Sequence, residues 1–203
     1  MMDMLQFALG AAVVAAIWLA RRRITDFPAQ KPSDYADDYT VFDMRKHLDG
    51  AMVCEGVIFG PAGRVTSSFV ADFNVTWDGD TACIEEHFVY DDNTTQDRTW
   101  TITLGETGHF TATAPDVKGT AKGRNVGATV QSKYTIRLPD DVGGHLLNTV
   151  DWMYLTGDGT IINRSGCKRT WRHLGSWKRR LVLWHRQTSS SPAGPKTTAA
   201  LPR

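Results

Sequence analysis

Polar and apolar residues alternate from Arg64 to Trp77. Val65, Ser67, Phe69, Ala71, Phe73, Val75 and Trp77 share one face, and Val70 is the one apolar residue on the other. A period of two over that length predicts a half-buried β-strand. Asp78-Gly79-Asp80 then reads as a hairpin turn, and Thr81–Tyr90 as the returning strand. Further strands are expected at Ala51–Phe59, around Thr99–Leu104, at His109–Ala114, Ala128–Leu138 and His145–Leu155, and from Thr160 to Asn163. Asp91–Gln96 and Pro139–Gly144 read as loops, and Pro115 to Gly127 as a glycine-spaced segment. The sum is eight or nine short strands at hairpin spacing between residues 50 and 166, with no helix between them. The class is mainly β, and an antiparallel up-and-down barrel is the arrangement that closes its own edges. A two-sheet sandwich is the alternative.

The ends follow other patterns. Residues 4–20 form one apolar run broken only by Gln6, with Trp18 near its end and Arg21, Arg22 and Arg23 directly after. As a helix the run spans roughly 26 Å, close to the hydrocarbon thickness of a bilayer. Residues 1–23 are therefore expected to be a transmembrane anchor, with a cleaved signal or a buried helix as the other readings. Three arginines after the run and only Asp3 before it place the following chain in the cytoplasm by the positive-inside rule. The expected location is the inner membrane, crossed once, with the barrel on the cytoplasmic side. Residues 24–49, with Pro28 and Pro32, read as a stalk in which Phe42–Leu48 has room for one helical turn. In residues 167–187, Trp171, Leu174, Trp177, Leu181 and Trp184 recur at helical intervals among lysines and arginines. That pattern predicts a basic amphipathic segment whose tryptophans seat in a bilayer surface. Residues 188–203 read as a disordered low-complexity tail.

Charge sharpens this division. The chain of 203 residues carries 23 Lys and Arg against 22 Asp and Glu, yet residues 160–203 hold ten basic residues and no acidic one. An acidic barrel region and a basic end point the end at an anionic surface, of which a membrane is favoured over nucleic acid. The length excludes a large two-domain enzyme. Cys54, Cys83 and Cys167 match no metal-ligand spacing and no disulfide framework.

Several motifs in order carry a family resemblance: FPAQKPSDY (27–35), FDMRKHLDG (42–50), TWDGD (76–80), FVYDD (88–92), RTWTI (98–102), DVKGTAKG (116–123), DWMYL (151–155) and INRS (162–165). Over roughly residues 27–166 the chain resembles a bacterial domain-of-unknown-function family of membrane-tethered proteins, and departs from it after Ser165. The resemblance implies a lipocalin-like, calycin-type barrel held at a membrane. It implies no catalytic residue, because the family has none established.

Candidate chemistry lies on the inward strand faces. By alternation Glu86 shares the apolar face of Ala82, Ile84, Phe88 and Tyr90, and a carboxylate there needs a partner, for which Arg98 on the next strand is placed. Trp152 and Tyr154 share a face taken as inward, with Asp151 facing the other way towards Arg164. The candidate ligand-binding residues are accordingly Phe73, Trp77, Glu86, Phe88, Tyr90, Arg98, Trp100, Tyr134, Trp152 and Tyr154. No two of the six histidines stand at metal-binding spacing and no nucleotide or hydrolase motif occurs, so no metal, cofactor or nucleic acid is expected.

A tethered barrel with apolar, aromatic inner faces is expected to bind a fatty acyl chain or membrane lipid without catalysis. Two alternatives stay open. One is a lipid-modifying or isomerising enzyme using Glu86, Arg98 or Tyr154 as acid or base. The other is a scaffold whose barrel is filled by side chains.

Overall fold

The alternation at residues 64–77 becomes β2 (Val65–Asp78), the longest strand. Its inward residues Phe69, Ala71, Phe73 and Val75 are buried, while Val70 stays outside at 37% exposure. The computed structural model describes residues 2–25, 27–38, 40–60, 62–140, 143–169 and 177–186. Among these, β2 is followed by β3 (Thr81–Tyr90), β4 (Thr95–Leu104), β5 (His109–Thr113), β6 (Ala121–Val126), β7 (Thr129–Arg137), β8 (Leu146–Leu155), β9 (Ile161–Arg169) and β10 (Trp177–Arg186), with β1 (Gly50–Phe59) in front. Each strand pairs antiparallel with its neighbours in sequence, and β10 pairs with β1, so the described strands close an up-and-down barrel.

Two of the ten described strands were not expected. β6 falls inside the glycine-spaced segment. Its Gly123 lies against the Phe110 ring, where an added Cβ would stand 1.9 Å from Cζ, so glycine is what lets β6 and β5 sit together. β10 occupies part of the segment 167–187 expected to be a basic amphipathic stretch at a bilayer surface. Hydrogen bonding to both β1 and β9 makes it a wall strand with a period of two. Trp177 and Trp184 lie on it, whereas Trp171 and the tail 188–203 fall outside the described residues.

The segment expected to be a stalk is part of the globule. A short 3₁₀ turn at Pro32–Tyr35 packs on the outer wall, and α2 (Met44–His47) closes one end of the barrel. The α2 turn starts at Asp43, whose carboxylate accepts a hydrogen bond from the Arg45 amide at 3.0 Å. Phe42, Met44 and Leu48 are buried in the core, and the Trp77 indole donates to the Leu48 carbonyl at 2.7 Å. Arg45 pairs with Asp80 in the turn between β2 and β3. On the way down, the chain crosses Gly127 at φ 53°, where a Cβ would lie 2.0 Å from the Tyr35 carbonyl oxygen.

Before all this runs α1 (Met2–Ile24). Its stretch Met4–Arg21 is long and apolar enough to cross a membrane and none of it is buried against the barrel. One apolar N-terminal helix of this kind fits a membrane span or a signal sequence. Trp18 is half exposed on it, and Arg21 lies at its exposed end.

Candidate functional site

With one end plugged by α2, the open question is what the barrel encloses. The inner faces of β1 to β9 surround a cavity of about 90 Å³. Phe69, Phe73, Phe88, Phe110 and Ile102 make most of its wall apolar. Phe73 and Phe88 meet edge to face with centroids 5.5 Å apart, as do Phe69 and Phe88 at 5.3 Å.

One side of the wall is polar. Glu86 on β3 and Arg98 on β4 are cross-strand partners, as the alternation predicts, and Glu86 is only 6% exposed. The Arg98 Nε donates to Asp116 at 3.0 Å, and its guanidinium lies 4.4 Å over the Trp100 ring. The Arg98 Nη2 is buried and finds no hydrogen-bond acceptor among the described residues. Burial alone would lower the pKa of Arg98, but its interactions with Tyr134, Glu86 and Asp116 raise it, so the guanidinium is held charged. Asp116 belongs to the loop between β5 and β6, which leans on β7 at the end of the barrel away from α2. Val117 there bridges to Ile136, and the Lys118 amide donates to the Thr135 carbonyl at 2.8 Å.

The polar side continues around the wall. Trp100 packs on Tyr134 with centroids 5.3 Å apart, and the Tyr134 hydroxyl donates to Asp151 at 3.3 Å. Asp151 also accepts from the Asn163 amide at 2.7 Å and the Ser165 hydroxyl at 2.6 Å. Three donors on one carboxylate fix its position while it borders the cavity. No cluster of three or more metal-ligand side chains occurs among the described residues.

Of the ten candidate ligand-binding residues, the barrel gathers Phe73, Glu86, Phe88, Arg98, Trp100 and Tyr134 around the cavity. Trp77 packs against the core beside the α2 plug, and Tyr90 stacks on Phe88 with its hydroxyl turned to Gln96. Trp152 and Tyr154 do not face inward. Asp151 and Met153 line the cavity, so alternation puts Trp152 and Tyr154 outside. There the Pro32–Tyr35 turn covers them: Tyr35 meets Trp152 and Tyr154 edge-on at 5.5 and 5.9 Å, and the Tyr154 hydroxyl donates to Gln30 at 2.8 Å. The expected pairing of Asp151 with Arg164 fails for the same reason. Arg164 pairs in register with Trp152 on the outer face and lies 4.3 Å over the Phe27 ring. Asp151, Asn163 and Ser165 are the cavity residues that sequence reasoning missed. The signal was present, since Asn163 and Ser165 alternate on β9 as Asp151 and Met153 do on β8.

Comparison with known proteins agrees with this architecture. Residues 23–176 match the family model described as "Protein of unknown function (DUF3833)", so the chain belongs to that family. No curated protein matches it. Among solved structures it is similar to the S-type phycobiliprotein lyase CPES from Guillardia theta, with a TM-score of 0.55 and 9% sequence identity over 71% of this chain and 91% of that one. At that identity the likeness concerns the fold, which is lipocalin-like.

Proposed function

We propose that this member of the DUF3833 family holds the apolar part of a hydrophobic ligand, a fatty acyl chain or a membrane lipid, inside its barrel without transforming it. The observation that carries this reading is the cavity: a mostly aromatic and aliphatic wall with a few converging polar groups on one side. That is the usual make-up of a small-molecule site. At about 90 Å³ it falls short of the roughly 300–1,000 Å³ of a complete small-molecule pocket. The space therefore suits one end of the ligand, with the rest lying outside the cavity. A barrel filled by its own side chains, the scaffold alternative, would leave no such space.

The α1 helix supports a tether. An apolar helix followed by Arg21, Arg22 and Arg23 favours a single inner-membrane span with the barrel on the cytoplasmic side. A barrel held at the bilayer meets lipid without crossing water. The enzymatic alternative loses Tyr154 as an acid or base, because that side chain is packed under Gln30 and Tyr35 on the outer wall.

The test is native mass spectrometry of the detergent-purified full chain, followed by solvent extraction. The expected result is a co-purifying adduct of lipid mass that is lost in a variant with a filled cavity. Protein that flies only as the bare chain, and that takes up no acyl probe on incubation, would overturn the reading.

A further inference from the structure

The polar side of the cavity sets the chemistry of the group it takes. Two carboxyl groups neighbour the single guanidinium of Arg98, that of Glu86 across the strand pair and that of Asp116 at 3.0 Å, and a third, that of Asp151, borders the same cavity. Asp116 already occupies the Nε edge of that guanidinium, while Nη2 is buried without an acceptor. The Arg98 side chain is only 9% exposed, so the orphaned donor is shut away from bulk water. A buried donor left unmade costs about 1–3 kcal/mol, which a ligand acceptor would recover. The acceptor has to come without a negative charge. A further carboxylate or phosphate would stand within a few ångströms of carboxyl groups that already outnumber the cation, in a low-dielectric interior where like charges repel strongly.

Resting on the ligand-binding reading above, we propose that the site selects an uncharged carbonyl, as in an ester, amide or thioester of an acyl chain, over a free fatty acid or a lipid phosphate. The carbonyl oxygen accepts from Nη2 of Arg98, and the adjoining carbons lie against Phe73, Phe88 and Trp100. The Tyr134 hydroxyl, turned towards Asp151, leaves the neighbouring wall to the carboxylates. Selectivity comes from repulsion of the wrong head group as much as from the new hydrogen bond.

The experiment compares methyl octanoate with octanoate on the full chain in nanodiscs, by calorimetric titration at about pH 8, where the acid is ionised. The ester is expected to bind at least about tenfold more tightly. Glu86→Gln replaces the acid by its neutral isostere at nearly constant shape, and is expected to narrow that gap by strengthening octanoate. Arg98→Met is expected to weaken the ester, and a thermal melt separates this from loss of fold. Octanoate binding as tightly as the ester, or a gap that Glu86→Gln does not narrow, would overturn the selectivity while leaving a ligand-binding barrel. Binding of neither probe would overturn the ligand-binding reading itself.

Discussion

The two faces of β8 carry two clusters that look alike in the sequence and differ in kind. Outside, Trp152 and Tyr154 stack on each other with centroids 5.9 Å apart and are sealed by Tyr35 and Gln30. Inside, Asp151 joins Tyr134, Asn163 and Ser165 and borders the cavity that Arg98 also lines, with one buried donor unmet among the described residues. The outer cluster spends its aromatic area on fixing the N-terminal segment to the barrel. The inner one carries polar groups that packing alone would not select. A large aromatic cluster marks a seam of the fold, whereas a buried, partly satisfied polar group beside a void marks a place for something else.

Substitutions separate the two. Trp152→Ala is expected to have the largest effect on stability, about 3–5 kcal/mol, because it empties a wholly buried indole site. Chemical denaturation reads this, and acyl-probe affinity measured well below the midpoint should change far less. Arg98→Met is expected next, at roughly 3 kcal/mol, the low end for a broken buried pair because Asp116 keeps some contact with water, since it leaves the carboxyl groups of Glu86 and Asp116 without their cation. There the binding readout should fall together with stability. If Trp152→Ala abolished binding while Arg98→Met left it intact, the division between seam and site would be reversed.

Tyr154→Phe is a smaller change, about 1 kcal/mol for the lost hydrogen bond, and it carries a pH signature. Burial first, and then the neighbouring Tyr35, raise the Tyr154 pKa above its ordinary 10.0. A group whose folded pKa is raised stabilises the fold fully below its unfolded pKa. That contribution is lost as pH climbs through the folded value. The outer seam is thus expected to loosen only in strongly alkaline solution, seen as delayed tyrosinate absorbance, and Tyr154→Phe should remove the delayed component. The smallest effect is expected at Asp158 in the turn from β8 to β9. Hydrogen bonds from Thr156 and Thr160 hold its pKa at about 2 against an ordinary 3.8. Its contribution is present above the ordinary value and lost as pH falls through about 2, and full exposure keeps it slight. Asp158→Asn should flatten the acid limb of a melting-temperature profile by only a small amount.

Legibility in the sequence followed how many sides of each strand are covered. β2 and β3 have one wet face, so alternation named their inner residues, and Glu86 opposite Arg98 came with them. β8 is covered on both faces, by the core within and by the Pro32–Tyr35 turn without, so two apolar faces competed and the larger aromatics pointed to the wrong one. β6 was hidden because Gly123 gives way to Phe110 and supplies no side chain to the pattern. In β10, Trp177, Leu181 and Trp184, four and three apart, fit a helix locally, and only the pairing with β1 and β9 decides for a strand. The cavity itself left no trace in any single stretch, because its polar side draws on β3, β4, β7, β8 and β9.

The central claim is that this cavity is where a ligand sits. Ala121 on β6 is 1% exposed and borders it, so Ala121→Leu fills the space with little disturbance of the surface. Titration of methyl octanoate into the wild type and this variant, with a melt of each, tests the claim directly. The account predicts that binding weakens at least about tenfold while the melt is retained. Undiminished binding in a variant that still folds would contradict it.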